Sequence, residues 1–512
     1  MQNVVRVLLG HTRADIAAMP GSDVASWVVD FVRENLTEYE AEYSMDTLRW
    51  VYTITGKFVV YNRHTGIISI PINYFTRMKD YLEARGCEVV TRNFADYELR
   101  KIDLKPDPQW HDLPHQIKLI EKCSERVPGM KGLAMQTGKG KTYAAIKSII
   151  NLGYAACIIV PGLTDQWISE IKKYTNATDD DVYKIQEVDS LIKLFKSCAK
   201  PSIFVCSIST MRLYAKGGGG YAMLPYTFQQ FFEYFGIGVK VIDECHLNFH
   251  AIVKLDMKCN VPYNLYCTAT FTQNNRYARR IFDVVFPPEM RYGANAYDRY
   301  VDCHFYYYSG EVLENKCCRA RGYNHILYEK QIMKTQRAFR NHADFILQLI
   351  YCHYINNYQK GNKLLIFVSS IDFACKLVAR LCEKLPEYRT AAYIGSSSRE
   401  VLMDNDIIVA TTGKAGTGLD LKGLTTVINT VSLQSVALSQ QLFGRLRKIN
   451  DRDTIYVDIC DMGIPAQCRH AESRKTSLKR MASRYHEYRG LADPTGGIHI
   501  EKPVVDAQLS SW

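Results

Sequence analysis

The chain is 512 residues long, and its 47% hydrophobic and 23% charged residues are typical of globular proteins and exclude a largely disordered chain. A chain of this length predicts several domains, since one domain usually holds ~100–200 residues. Its 64 Lys and Arg residues against 53 Asp and Glu residues give a net charge of +11, which favours a polyanionic partner without distinguishing DNA, RNA and acidic lipid.

The 16 cysteines are scattered through apolar segments, and no pair has zinc-finger spacing. We therefore expect reduced thiols and a cytoplasmic location. The N-terminal stretch is too short and too interrupted for a signal peptide, and no apolar run approaches the ~20 residues that span a bilayer. We expect no membrane partner.

Residues 1–105 predict a small α+β domain, which we interpret as a DNA-binding domain. Ser22 or Asp23 is placed to cap a helix that runs to about Asn35. A second helix is expected from about Tyr74 to Arg85. Three short strands are expected between these helices, over residues 50–55, 57–62 and 66–72.

Two sets of short apolar segments, each alternating with longer helical segments, predict two tandem α/β domains with parallel sheets. The domains are expected over residues 106–285 and 326–468, with a Tyr-rich linker over 286–325 and a basic helical tail over 469–512. The predicted strands are 132–136, 156–161, 202–207, 240–244 and 263–270 in the first domain, and 363–370, 390–395, 406–412, 425–430 and 454–460 in the second.

Residues 135–142, Met-Gln-Thr-Gly-Lys-Gly-Lys-Thr, follow a predicted strand and open a predicted helix, as a phosphate-binding loop does. Lys141 would neutralise the β- and γ-phosphate oxygens, and the Thr142 hydroxyl would ligate Mg²⁺. Met135 stands where such loops usually have their first glycine. The nucleotide-binding residues expected here are Thr137, Gly138, Lys139, Gly140, Lys141 and Thr142.

About a hundred residues later, a hydrophobic strand ends in Asp243 and Glu244, followed by Cys245 and His246. Successive side chains of a strand point in opposite directions, so the two carboxylates can do different work. Asp243 can hold hydrated Mg²⁺ while Glu244 polarises the attacking water. An isolated acidic pair could be structural, but the preceding phosphate loop favours catalysis.

The segment 441–448 adds cations that hydrolysis of a triphosphate requires, because negative charge grows on the γ-phosphoryl oxygens. Arg445 is the candidate arginine finger, and Gln441 and Arg447 are further candidates for catalysis. In isolation such a segment would read as a basic helix surface.

The order of these motifs resembles that of superfamily 2 helicases, and the sequence Asp-Glu-Cys-His resembles their DExH group. Phage branch-migration helicases look most similar, since they share this acidic motif, a comparable arginine-rich ending, a small N-terminal domain and a basic tail. The resemblance covers about residues 113–448 and implies two RecA-like domains sharing one nucleotide site, with ATP and Mg²⁺. The family commonly has two arginines separated by two residues, whereas here Arg445 is followed by Arg447.

The resemblance also implies roles for further residues. Gln116 matches the glutamine that reads adenine, and Gly418 and Asp420 lie in the motif that faces backbone and ribose. His246, Thr268 and Thr270 match residues that couple hydrolysis to domain closure. Residues in motifs that contact the nucleic-acid backbone are Pro161, Gln166, Ser209, Thr210, Ser369, Thr412 and Thr417.

The expected function is that of an ATP-dependent DNA helicase or translocase acting on branched DNA, and the resemblance implies a viral origin. Two alternatives stay open: an RNA helicase, because backbone contacts distinguish the sugars weakly, and a nucleic-acid binder that uses ATP only as a switch. We expect a monomer, with a single-stranded DNA-binding protein as a candidate partner. The basic tail, with Tyr485 and Tyr488, could bind phosphates and stack on bases, or could be a solvated helix packed on the second domain.

Overall fold

The computed structural model divides the chain into two compact units, Met1–Asn295 (unit 1) and Ala296–Trp512 (unit 2). In it, no described helix is long and apolar enough to cross a membrane, and every described cysteine is free. The described residues are 3–44, 49–62, 65–136, 138–162, 164–197, 199–269, 271–273, 275–293, 299–319, 322–395, 397–398, 400–415, 421–433, 439, 442–446, 453–479, 481–489 and 498–502.

Unit 1 begins with a mixed five-stranded sheet in the order β5-β6-β2-β1-β7, in which only the β1 and β7 pair is parallel, and with a separate β3–β4 hairpin. Ser22 caps α1 as predicted, since its Oγ accepts a hydrogen bond from the Ala25 amide at 3.2 Å. The elements are β1 Asn3–Leu9, β2 Arg13–Ala17, α1 Asp23–Asn35, β3 Thr37–Ser44, β4 Arg49–Lys57, β5 Val60–Asn62, β6 Ile67–Pro71, α2 Phe75–Glu83 and β7 Cys87–Asn93.

A seven-stranded parallel sheet follows, in the order β10-β11-β9-β12-β13-β8-β14. All five residues of β9 are buried, as expected where helices cover both faces of a sheet. Its elements are α3 Pro114–Ser124, β8 Gly129–Ala134, α4 Lys141–Leu152, β9 Ala156–Val160, α5 Thr164–Tyr174, β10 Val182–Ile185, α6 Val188–Ser197, β11 Ile203–Ser207, α7 Ile208–Lys216, α8 Phe228–Tyr234, β12 Val239–Asp243, α9 Phe249–Asp256, β13 Tyr263–Thr268, α10 Arg276–Val285 and β14 Arg291–Tyr292.

The N-terminal region packs closely against this parallel-sheet domain. Apolar side chains of both form one continuous hydrophobic cluster. Polar contacts reinforce it: the Thr12 hydroxyl donates to the Asp256 carbonyl at 2.9 Å, and the Asn73 amide donates to the Val285 carbonyl at 2.8 Å. The N-terminal sheet and the parallel-sheet domain therefore share a core within unit 1.

Unit 2 contains an eight-stranded sheet in the order β19-β20-β18-β21-β22-β15-β23-β24, which is parallel except for β24 at the edge. Helices pack on it over two hydrophobic clusters. The elements are β15 Val301–Tyr308, β16 Cys318–Arg319, β17 Gly322–Tyr323, α11 His325–Met333, α12 Gln336–His353, β18 Lys363–Val368, α13 Ile371–Lys384, β19 Thr390–Tyr393, α14 Glu400–Asp404, β20 Ile407–Thr411, α15 Thr412–Ala415, β21 Leu424–Asn429, β22 Thr454–Asp461, α16 Pro465–Leu478, β23 Arg484–Arg489 and β24 Ile498–Lys502. Two RecA-like parallel sheets, preceded by a small mixed sheet, are the predicted fold class.

The predicted linker over 286–325 is wrong in its middle, because β15 is a buried strand between β22 and β23. Its tyrosines can be buried because their hydroxyls find partners. The Tyr306 hydroxyl hydrogen-bonds His353 Nε2 at 2.7 Å, and the Tyr308 hydroxyl bonds that of Tyr328 at 2.6 Å. A Tyr-rich segment thus forms an inner strand.

The predicted basic helical tail over 469–512 is also corrected. Its helix, α16, ends at Leu478, and the chain then enters the sheet as β23 beside β15. Tyr485 is 1% exposed and so is not available to stack on bases. Arg474 is fully buried, and its guanidinium forms two hydrogen bonds to the Asp458 carboxylate, at 3.0 and 2.6 Å. Packing on the second domain is the alternative that the structure supports.

Replacing Arg474 with Met should destabilise unit 2 by ~3–5 kcal/mol, because it leaves the buried Asp458 carboxylate without its counter-charge. Urea unfolding of the full chain, followed by circular dichroism, measures the change. Arg469→Met is the matched control, since Arg469 is an exposed residue of the same helix and its replacement should change stability little. Equal stability of the two variants would contradict a stabilising role for the buried pair.

Candidate active site

The loop between β8 and α4 has the backbone geometry of a phosphate-binding loop. Gly138 and Gly140 both have φ of 83°, a left-handed conformation that glycine adopts without strain. Gly140 is the N-cap of α4, so the first amides of that helix point out of its N-terminus. A Cβ on Gly140 would lie 2.2 Å from the Gln116 side-chain nitrogen. Thr137 lies outside the described residues.

Gln116 is 2% exposed and ties helix α3 to this loop. Its Nε2 donates to the Lys139 carbonyl at 2.9 Å, and its Oε1 accepts from the Leu113 amide at 3.0 Å. His115 Nε2 lies 3.1 Å from the same Lys139 carbonyl. The residue predicted to read adenine therefore also holds the phosphate loop in position.

Lys141, the first residue of α4, contacts both carboxylates at the end of β12. Its Nζ lies 3.1 Å from Asp243 Oδ1 and forms a short hydrogen bond to Glu244 Oε1. Burial alone would lower the pKa of Lys141, but the two carboxylates outweigh it, and the net pKa is raised above the usual range. The lysine is therefore a fixed positive charge at the phosphate loop.

Further contacts orient the two acidic side chains. The Trp167 indole donates to Asp243 Oδ2 at 3.0 Å, and the Glu244 amide donates to Asp243 Oδ1 at 2.9 Å. Glu244 has φ of 47°, in the left-handed region that costs an L-residue about 1 kcal/mol or more. The turn after β12 thus holds Glu244 beside Lys141 at the cost of local strain.

His246 links the acidic motif to the end of β13. Its Nδ1 lies 2.7 Å from the Thr268 hydroxyl and 3.3 Å from Glu244 Oε2, and its backbone carbonyl accepts a hydrogen bond from Gln273 Nε2 at 2.7 Å. Burial, with help from Lys141, lowers the pKa of His246 to about 4. The imidazole is therefore neutral near pH 7. Thr270 lies outside the described residues.

Of the predicted nucleic-acid contacts in unit 1, Ser209 is exposed, and Pro161 and Gln166 are half-buried. Thr210 is 4% exposed, and its hydroxyl donates to the Gln186 carbonyl. The prediction that the Thr210 side chain contacts nucleic acid is therefore not supported, because that side chain serves the core of its own domain.

In unit 2, Arg445 is 7% exposed, and Ser369 and Thr412 are half-buried. The backbone amides of Ser369 and Ser370 donate to the buried Glu329 carboxylate at 2.6 and 2.7 Å. Burial raises the pKa of Glu329 to about 7, while these hydrogen bonds oppose the rise. The predicted site residues that lie outside the described residues of unit 2 are Thr417, Gly418, Asp420, Gln441 and Arg447.

Three residues without a role predicted from the sequence contact predicted site residues within their own units: Trp167 and Gln273 in unit 1, and Glu329 in unit 2. Trp167 lies in a segment already matched to a nucleic-acid motif, and a buried Trp with an indole N–H needs a hydrogen-bond partner, which is a usable signal. Gln273 and Glu329 have no local sequence signal, because their partners lie 27 and 40 residues away.

Gly140→Ala should abolish ATP binding, because the new methyl group would collide with the Gln116 side chain that holds the loop and would require left-handed backbone. Titration with a fluorescent ATP analogue measures the loss, expected to be at least ~100-fold, or ~2.7 kcal/mol. Gly218→Ala is the control, since no heavy atom lies within 4 Å of a Cβ there. Normal binding by Gly140→Ala would contradict this geometry.

Comparison with known proteins gives several structural likenesses. S. cerevisiae Dbp5 bound to RNA and ADP BeF3 has a TM-score of 0.47 at 12% identity, over 74% of this chain and 94% of that chain. Mycobacterium smegmatis helicase Lhr bound to ssDNA and AMP-PNP has 0.46 at 16% identity, over 72% and 48%. T4 UvsW has 0.35 at 16% identity, over 94% and 98%. No curated protein matches the sequence.

Residues 110–273 match the family described as type III restriction enzyme, res subunit. This segment contains Gln116, the phosphate loop, Lys141, the Asp243 and Glu244 pair, and the contact between His246 and Thr268. The part of the chain that this family model covers lies in unit 1 and holds the nucleotide site, and over this part the chain is similar to the helicase-type ATPases that its motifs resemble.

Proposed function

We propose that the chain couples ATP hydrolysis to movement along DNA and acts best on branched DNA. The observation that carries this proposal is the contact of Lys141 with both Asp243 and Glu244. It brings the phosphate-loop cation and the two acidic groups of triphosphate hydrolysis to one point. The family match, which is named after a restriction enzyme subunit, favours DNA over RNA.

Lys141 would exchange partners when ATP binds. Its ammonium group now offsets two carboxylates, and a triphosphate brings oxygens that compete for the same N–H donors. Transfer of Lys141 to phosphate oxygens would release Glu244 to accept a proton from the attacking water. The strained backbone at Glu244 keeps that carboxylate at the end of the strand throughout.

The oxygen donors at this point fit Mg²⁺, which prefers carboxylate, hydroxyl and water ligands. Asp243 and Thr142 would hold the ion, with Trp167 and the Glu244 amide orienting Asp243. When bound, the ion supplies charge that offsets the phosphate oxygens. Gln116, Gly138, Lys139 and Gly140 would complete the nucleotide pocket of unit 1, with Thr137.

Unit 2 is proposed to supply Arg445 as the arginine finger, aided by Gln441 and Arg447, with Gly418 and Asp420 facing the nucleotide. The contact of neutral His246 with Thr268 would transmit the state of Glu244 to the segment that ends at Thr270. Opening and closing of the two RecA-like domains would then shift their contacts along one strand. Those contacts are proposed for Pro161, Gln166, Ser209, Ser369, Thr412 and Thr417.

Lys141→Ala and Glu244→Gln should each reduce DNA-stimulated ATPase activity at least ~100-fold, but for different reasons. Lys141→Ala should also lose ATP binding, whereas Glu244→Gln should keep it, because only the water-activating carboxylate is removed. Phosphate release assays with matched DNA and RNA oligonucleotides, together with nucleotide titration, measure both effects.

Lys147→Ala is the control for those variants, since Lys147 lies on the same helix and has no proposed role. Full activity in either site variant would contradict the assignment. Stronger stimulation by RNA would favour the RNA helicase alternative, and binding without turnover in the unaltered protein would favour an ATP-operated switch.

The β3–β4 hairpin is the part of the N-terminal region that we propose to engage a DNA junction. Val51, Tyr52 and Ile54 on β4 are 46%, 56% and 49% exposed, and the exposed Arg49 and Lys57 lie at the two ends of that strand. Exposed aromatic and aliphatic side chains can pack on unstacked bases, and flanking cations can contact phosphates.

The N-terminal region shares a core with the rest of unit 1, so deletion of residues 1–105 would expose apolar surface of that unit. Reversing the charge of hairpin residues is therefore the more specific test of junction binding. The double variant Arg49→Glu with Lys57→Glu should bind forked DNA at least ~10-fold more weakly while binding single-stranded DNA about as before. Fluorescence anisotropy at fixed salt measures both.

Lys193→Glu is the matched control, because Lys193 is exposed on α6 of the same unit and lies outside the hairpin. An equal loss on forked and single-stranded DNA would count against junction recognition.

We further propose a cytoplasmic monomer, in the host cell if the chain is viral, with a single-stranded DNA-binding protein as a candidate partner.

A further inference from the structure

A second cluster of titratable side chains lies in unit 2, on strands β15 and β23. β15 and β23 are parallel neighbours, with His304 paired with His486 in register and Asp302 paired with Arg484. Residues two apart on a strand share a face, so Asp302, His304 and His486 project on the same side of the sheet. All three are buried, at 8%, 7% and 8% exposure.

The polar atoms of these side chains converge. His486 Nε2 lies 2.9 Å and His304 Nε2 lies 3.5 Å from Asp302 Oδ1, and one candidate ligand atom from each residue lies within 4.8 Å of the others. Ligand atoms of a tetrahedral zinc site are about 3.3 Å apart, given metal–ligand bonds of about 2.0–2.1 Å. The separations therefore suit three bonds to one ion after small side-chain adjustments.

Neighbouring groups orient the side chains of the cluster for metal binding. The Tyr488 hydroxyl lies 3.1 Å from His304 Nδ1, which leaves His304 Nε2 to face Asp302, and Arg484 binds the other carboxylate oxygen, Oδ2, at 2.9 Å. Outer partners of this kind orient metal-binding histidines in known sites. The two imidazole planes are nearly parallel, at 7°, so one ring must tilt to direct its nitrogen at a shared ion.

The cluster borders a cavity of about 600 Å³ that Asp302, His304, His353, Asp453 and Arg484 help to line. The cavity gives an ion access and leaves room for water as a further ligand. Three protein ligands plus water is a common arrangement for zinc, and two imidazoles favour zinc over Mg²⁺, which prefers oxygen ligands.

We propose that Asp302, His304 and His486 bind one Zn²⁺ ion, which clamps strand β23 to strand β15. This cluster shares no residue with the proposed nucleotide site. Binding of Zn²⁺ would stabilise the attachment of the last described helix and strands to the sheet, because an ion that binds only the folded form stabilises that form.

The test is calorimetric titration of the chelator-treated full chain with Zn²⁺, compared with Asp302→Asn and His486→Gln. One ion per chain should bind, and each variant should bind it at least ~100-fold more weakly, more than the 10–100-fold typical of losing only an outer partner. The unfolding midpoint of the unaltered chain should rise with added Zn²⁺, and this shift should vanish in both variants.

His342→Gln is the matched control, since His342 is also a buried histidine of unit 2 and hydrogen-bonds Tyr308 at 2.9 Å. It should bind Zn²⁺ as the unaltered chain does, even if its stability falls. Tight binding that survives in Asp302→Asn and His486→Gln, or no binding by the unaltered chain, would show that the cluster is only a hydrogen-bonded group.

X-ray absorption at the zinc edge of the loaded unaltered chain keeps the test independent of variant folding. Two imidazole nitrogens with oxygen ligands are expected. A spectrum dominated by sulfur would assign the ion to some of the 16 cysteines and would overturn the proposal.

Discussion

The contact of Lys141 with Asp243 and Glu244 is the interaction on which the interpretation of unit 1 depends. Two parallel strands, β8 and β12, deliver the phosphate loop and the acidic pair to the same edge of the sheet, because the carboxyl ends of parallel strands lie together. The lysine then offsets carboxylate charge that would otherwise be costly to gather in a partly buried place. Trp167 and Gln116 hold the two sides of this contact in position from neighbouring helices.

Unit 1 is stabilised as one body. The N-terminal sheet covers apolar side chains of the parallel-sheet domain, and hydrogen bonds from Thr12 and Asn73 reinforce the interface between them. A region that looks like a separate domain along the chain therefore contributes to the stability of the domain with the nucleotide site. Its hairpin nevertheless leaves apolar side chains of β4 exposed, which is where a partner could be bound.

Unit 2 also has a large parallel sheet, but one of its inner strands buries polar aromatic side chains. Its strand β15 is rich in tyrosine and histidine, and its tyrosine hydroxyls form hydrogen bonds to His353, Tyr328 and the Glu472 carboxylate. Arg474 and Asp458 form a fully buried ion pair beneath the same sheet. Such satisfied polar networks define one packing arrangement, because any alternative would leave a buried group without its partner.

The sequence by itself determined the parts of this protein that depend on local order: five strands of each of the two large sheets, the cap at Ser22, and the glycines of the phosphate loop followed by Lys141. It also determined the acidic pair, because a strand that ends in two carboxylates is recognisable from neighbouring residues alone. The tertiary structure decided what depends on distant partners. Contacts between residues that are far apart in sequence bury Tyr485 and Arg474 and place β15 between two strands from a distant part of the chain. Such contacts also turn Thr210 into the core of its own domain and provide the hydrogen bond from Trp167 to Asp243. The charge and aromatic content of the C-terminal segment suggest an exposed basic tail. Only the pairing of strands shows which of its charged and aromatic side chains are buried.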